Sequence, residues 1–281
     1  MFQNIWYQMG RAIVSFYARG IMHADIQLNK PLPKGAKIIA ANHPCTNDPA
    51  FVTLITREHI TILIKGSIFK LPLFGRSLRM AGHVPVLYGN GQAALEAGIR
   101  LLKAGRTVMI FPEGKISPEG GYHRAHTGVA RLALATGAPV IPVGISLDQK
   151  KVRLVPTQIE GEQDTGTWYL KGPYAITVGQ PVAFQGDPND RENAQTVTGE
   201  VMRAITCLSE AGHRRLALTN PRLAWLPAPR ISLARPRESA QSAWNDAWRA
   251  IQQTAQRVGR SPAFRTAESI LVVLLMYIKH L

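Results

Sequence analysis

In the stretch ANHPCTNDP, residues 41–49, His43 and Asp48 stand five positions apart. A carboxylate beside a neutral imidazole fixes its tautomer and raises its basicity, so such a pair can take the proton of a hydroxyl. A plainer reading competes for Asp48: with Asn47 it forms a good helix-capping pair, and Pro49 is favoured at a first helical position. Capping accounts for Asp48 but leaves His43 unexplained. A second candidate is FPEG, Phe111–Gly114, where Pro112 and the flexible Gly114 flank Glu113. Alone it is an ordinary turn. Cys45 offers a nucleophile that His43 could serve, although two positions apart in a tight turn the pair need not face each other, and free cysteines are more often passive. His123 and His126 have no further ligand cluster with them, so a surface or core role is expected and no metal. Arg131 is expected to be structural, whereas Lys65, at a strand end, could reach a phosphate or remain solvated.

The elements that must carry these residues alternate. Short apolar or β-branched runs at 36–41, 61–65, 83–87, 107–111 and 139–145 predict buried strands. Helical patterns at 49–57, about 91–104 and 127–135 fill the gaps, and later strands are expected at 152–156 and 175–182. The fold class is therefore α/β: a layered sheet with flanking helices, an N-terminal amphipathic helix and a C-terminal helical extension. Three parts are expected: an interfacial segment at 1–33, a catalytic domain at 34–211 and a basic Arg/Pro-rich extension at 212–281. His43, Asp48 and Glu113 follow strands, where an α/β fold places functional groups.

Composition narrows the partners. Of 281 residues 46% are hydrophobic, too many for a globally disordered chain. The formal net charge of +15 draws the surface to polyanions: nucleic acid, anionic lipid or a phosphorylated ligand. Two cysteines give neither a disulfide framework nor zinc-like spacing and suit a reducing compartment. With no apolar run of about 18 residues and no secretory signal, an intracellular protein that touches a membrane is expected. Near the start Phe2, Ile5, Trp6, Met9, Ile13, Phe16 and Tyr17 recur at helical spacing with Arg11 and Arg19, and no acid precedes Asp25. Such a helix could lie in the headgroup plane or pack on the core. The apolar run ILVVLLMYI near the C-terminus would reach about 14 Å as a helix, too short to span. Before it, a helix is expected near 239–258.

Taken together, NHPCTND at 42–48, FPEG at 111–114 and VIPVG at 140–144 resemble the glycerolipid acyltransferase family, the 1-acylglycerol-3-phosphate acyltransferases and their relatives. His43 and Asp48 match the family's H-x-x-x-x-D. Phe111, Pro112, Glu113 and Gly114 match its F-P-E-G, with Ser117 also in place, and Pro142 lies in the fourth, apolar motif. Two positions depart: Tyr88 stands where an arginine commonly binds the acceptor's phosphate, and Lys115–Ile116 replace the frequent Thr and Arg. Lys115, Lys65, Arg76 or Arg79 would have to compensate.

The resemblance implies acyl transfer from acyl-CoA or acyl carrier protein to a lysolipid hydroxyl, first 1-acylglycerol-3-phosphate. His43 would be the general base and Asp48 its orienting partner. Glu113 and Gly114, with Phe111 and Pro112, would position the acceptor. It implies no cofactor beyond the thioester co-substrate, and a place on the cytoplasmic face of a membrane, peripheral or monotopic. The alternatives are a different hydroxyl-bearing lipid acceptor, or a non-enzymatic basic protein that binds nucleic acid or anionic membrane. No nucleic-acid motif accompanies the basic residues.

Overall fold

The computed structural model describes residues 2–219, apart from 29, 72, 88, 89, 160 and 161. Tyr88, the helix expected near 239–258 and the apolar run at the C-terminus lie outside the described residues. Strands β1 (Asp25–Leu28), β2 (Lys37–Ala41), β3 (Ile60–Lys65), β4 (Val84–Val86), β5 (Thr107–Ile110), β6 (Val140–Leu147) and β9 (Tyr174–Val178) form one sheet, in the order β1-β9-β6-β2-β5-β3-β4. The strands from β6 to β4 are mutually parallel, whereas β9 runs antiparallel to β6. Strands β7 (Arg153–Ile159) and β8 (Glu162–Trp168) make a separate antiparallel hairpin. The helices are α1 (Phe2–Phe16), α2 (Asp48–Val52), α3 (Phe74–Met80), α4 (Gly91–Lys103), α5 (Gly128–Thr136) and α6 (Arg191–Thr219).

Strand β2 sits mid-sheet and is buried along its length. Its side chains alternate between two cores, as the pleat requires. Ile39 and Ala41 join Phe51, Ile145 and Tyr174 on one face; Ile38 and Ala40 join Leu102, Leu132 and Ile205 on the other. Helix α6 lies so close to β6 that a Cβ at Gly144 would come within 2.1 Å of the Ser209 amide nitrogen. Glycine is required there because the two backbones touch.

The expected boundaries do not coincide with the folded unit. The 33/34 boundary falls between β1 and β2 of one sheet, with Asp25 paired to Ala175 in β9. Helix α6 runs unbroken through 211/212, and a Cβ at Gly212 would meet Ser146 Oγ at 2.5 Å. The helix expected over 49–57 is shorter: α2 ends at Val52 and a 3-10 turn, Thr53–Ile55, follows. Strand β1 is a short edge strand with no continuous apolar run, and β8 reads EQDTGTW, so neither carries the pattern of a buried strand. Among the described residues no helix is long and apolar enough to cross a membrane.

Candidate active site

Adjacent parallel strands bring the two motifs together. Ala40 in β2 is in register with Ile110 in β5, so both chains leave the sheet at the same end. The imidazole of His43 stacks on the ring of Phe111, centroids 4.0 Å apart and planes 16° from parallel. Asn42 holds the first loop to β6, its side-chain amide donating to Ile145 O at 2.9 Å and accepting from Ile145 N at 2.7 Å. The hairpin holds it from the other side. Thr46 N donates to Thr167 O at 2.6 Å, Thr167 N to Thr46 Oγ1 at 2.9 Å, and Tyr169 N to Asn47 Oδ1 at 3.0 Å.

Asp48 is not a conventional cap. Its carboxylate is wholly buried and faces back into the loop, away from the helix it begins. Oδ2 accepts from His43 Nδ1 at 2.9 Å and from the Cys45 amide at 2.7 Å. Oδ1 accepts from Tyr174 Oη at 2.6 Å and from Cys45 Sγ at 2.9 Å. An ionised carboxylate only accepts, so Nδ1 of His43 carries the ring proton and Nε2 keeps its lone pair. The His43 side chain retains 15% of its exposure, enough for a substrate to reach it. Cys45 is fully buried, and burial, reinforced by the Asp48 charge and its hydrogen bond, pushes its thiol well above the ordinary range. A thiol held protonated and turned to Asp48 is no nucleophile.

Glu113 is buried too. Oε1 accepts from Ser117 Oγ at 2.5 Å and from His43 N at 3.4 Å, and Oε2 accepts from His123 N at 2.7 Å. Ser117 Oγ also accepts from His43 N at 3.2 Å, and Ser117 N donates to His43 O at 2.8 Å. The carboxylate thus braces the backbone that carries the imidazole. Pro112 is buried, and Gly114 turns the chain at φ +69°, with the His126 ring 3.1 Å from where its Cβ would be. His126 N donates to Pro112 O at 2.9 Å, closing the second loop.

Lys115 is exposed beside this turn, Lys65 is exposed at the end of β3, and Arg76 and Arg79 are exposed on α3, where the Arg79 guanidinium lies 5.6 Å from the centroid of the Phe69 ring. Arg131 sits on α5 with its Nε buried and without a hydrogen-bond partner among the described residues. No group of three potential metal ligands occurs among them either. Tyr174, the Thr46–Thr167 pair and Tyr169 escaped the sequence reading because more than a hundred residues separate each contact from its partner. Asn42 did carry a signal, its place directly before His43.

Residues 23–146 match the family described as Acyltransferase. The chloroplastic 1-acyl-sn-glycerol-3-phosphate acyltransferase BAT2 of Brassica napus is 28% identical over 153 residues, 53% of this chain and 42% of its own length. The 1-acyl-sn-glycerol-3-phosphate acyltransferase of Salmonella typhimurium is 29% identical over 124 residues, 43% of this chain and 51% of that protein. The chain spans about half the length of these curated relatives. The crystal structure of the 1-acyl-sn-glycerophosphate (LPA) acyltransferase PlsC from Thermotoga maritima shares the fold, with a TM-score of 0.53 at 21% identity over 76% of this chain and 80% of that one.

Proposed function

We propose, for a chain whose residues 23–146 belong to the acyltransferase family, that it moves a fatty acyl group from a thioester to a lysolipid hydroxyl, with 1-acylglycerol-3-phosphate as acceptor. The observation that carries this reading is the 2.9 Å contact between His43 Nδ1 and a wholly buried Asp48. It leaves Nε2 as the base. As the acceptor oxygen attacks the thioester carbonyl, its proton passes to Nε2 and a C–O bond forms. When the tetrahedral intermediate collapses the C–S bond breaks, and the proton on Nε2 goes to the departing thiolate. Asp48 stabilises the imidazolium in between, as in the His–Asp part of a serine hydrolase triad with the substrate hydroxyl in place of serine. Glu113 fixes the backbone of His43, and Phe111 covers one face of its ring. Coenzyme A and acyl carrier protein are both suitable thiols for the donor.

We further propose that the protein works at an anionic lipid surface, peripheral or monotopic, on the cytoplasmic side. Helix α1 turns polar contacts inward: Arg11 Nε donates to Thr53 O at 3.2 Å, and Tyr7 Oη accepts from Ile60 N at 3.2 Å. Outward it presents Ile5, Met9 and Phe16, 51%, 42% and 73% exposed. Apolar side chains exposed in a stripe along a helix without acidic residues suit the headgroup boundary. Nor does any Asp or Glu occur between Glu58 and Glu96, a stretch with exposed Lys65, Lys70, Arg76 and Arg79.

The test is thiol release from acyl-CoA and from acyl carrier protein over a panel of lysolipids, for wild type and His43→Ala. Acceptor-dependent release that the variant reduces at least about a hundredfold is expected. The panel matters because Tyr88 replaces the family's usual arginine, so a different responsive headgroup would reassign the acceptor. Absence of turnover with every pair, or a variant equal to wild type, would overturn the reading.

A further inference from the structure

We propose that Tyr174 is a positioning residue: its hydroxyl, 2.6 Å from Asp48 Oδ1, shares the carboxylate's charge and so keeps His43 a weak enough base to hand to the leaving thiolate the proton it takes from the acceptor. The inference rests on His43 as the base of acyl transfer.

Asp48 is 0% exposed, so water cannot solvate its charge. A buried carboxylate without adequate donors is costly as an anion, and the fewer its donors the more strongly it favours a proton on the imidazole beside it. Four donors share its charge, two on each oxygen. Three of them belong to the loop itself: His43 Nδ1, the Cys45 amide and the Cys45 thiol. Among the described residues Tyr174 alone reaches the carboxylate from another element, as the first residue of β9, and so ties it to the sheet. Its ring is fixed edge-on to Phe51 at 5.0 Å and 80° and lies 6.1 Å from Tyr169.

The surroundings leave this hydroxyl with a distinct task. Among the described residues, Cys45 and Tyr174 bond Asp48, Glu113 accepts from the His43 amide, and Tyr17 and Tyr169 act on Cys45; none of these groups is a cation. Burial pushes the ionisation of Tyr17 upward, with a further contribution from Cys45, and that of Cys45 upward with a further contribution from Asp48, so both remain neutral donors at physiological pH. Among the described residues the charge of Asp48 is thus spread over hydrogen bonds. Without the Tyr174 bond more of it falls on His43, which would hold a proton to higher pH.

The experiment uses the full chain with Tyr174→Phe, which keeps the ring and its packing. Its control is Tyr169→Phe, which removes a comparable buried hydroxyl, one donating to Pro173 O at 2.8 Å. Two readouts are taken across pH 5–9: titration of the His43 imidazole by nitrogen-15 NMR, and the acid limb of acceptor-dependent thiol release. Tyr174→Phe is expected to move both upward by about half to one pH unit. It should also lower kcat at neutral pH by up to about three- to tenfold with little change in KM. Tyr169→Phe is expected to move neither midpoint. Coincident His43 titrations in Tyr174→Phe and wild type, or equal shifts in both phenylalanine variants, would overturn the proposal. If wild type turned over no substrate, the acyl-transfer reading would fail, while the NMR titration would still decide whether Tyr174 acts on His43.

Discussion

The sheet has histidines at both of its ends, and they are built for opposite behaviour. At the C-terminal end of β2, His43 donates from Nδ1 to a buried carboxylate and keeps an edge open. At the other end His59 precedes β3 and His83 precedes β4, and both use Nδ1 as an acceptor. Arg106 Nη2 lies 3.1 Å from His59 Nδ1, while Nε2 of His59 donates to Ala81 O at 2.7 Å; Ile62 N donates to His83 Nδ1 at 3.3 Å. The Tyr7 ring of α1 covers His59 at 4.2 Å between centroids. No carboxylate stands among these partners. Burial lowers both, with Arg106 opposing protonation of His59, and His83 is pushed down to about 4 by burial and by His59. A histidine at a strand end becomes a base where it is given an anion and an opening; with neither, it is a neutral peg under a helix.

The sharpest way to break this contrast is Asp48→Asn. An amide cannot hold the Nδ1–H tautomer or stabilise an imidazolium, and a loss of about a thousand- to ten-thousandfold in kcat is expected. Retention of more than about a tenth of the activity would reduce His43 to the status of the other two. Next in size is the pH dependence of stability. His83 stays neutral in the fold, so below its unfolded value of about 6.5 the unfolded state binds more protons. Its stabilising contribution is full above that pH, declines as pH falls, and is spent near 4. The loss is at most about 3 kcal/mol. Urea titrations at pH 7, 5.5 and 4.5 should trace it, and His83→Asn, whose side-chain oxygen can still accept from Ile62 N, should flatten the curve. An unchanged slope would mean that His83 is not the group responsible. The smallest effect concerns Cys45. Serine can keep the donation to Asp48, so Cys45→Ser should hold activity within about tenfold. A loss as large as that of His43→Ala in the same thiol-release assay would restore the nucleophile reading.

What the sequence disclosed follows from where its information is local. The strands that lead into both motif loops are continuous apolar runs, and the spacing of His43 and Asp48 lies within one turn. Both could be read directly, whereas the pairing of β2 with β5 that brings Phe111 to His43 could not. Local evidence by itself favours the capping alternative for Asp48, and only tertiary packing excludes it: β9 delivers Tyr174, and the carboxylate turns to it. The family resemblance implied that Glu113 positions an acceptor, and its oxygens meet Ser117 and two backbone amides, contacts that no local pattern announces. Helix α6 went unread because its pattern is mixed and one side lies against β6. Strand β1 went unread because its partner, β9, comes about 150 residues later.

Asn42 gives the loop a property that neither the imidazole nor the carboxylate could supply. Where the backbone of β2 has finished pairing, this side chain makes one more rung of the ladder with Ile145. The main chain is thereby released to turn while the sheet loses no hydrogen bond. His43, one residue later, is set down on a foundation that ends in a side chain instead of a fraying strand. Motion of the base then requires a break in the sheet itself, so the site shares the cooperativity of the core and does not behave as a loop laid over it.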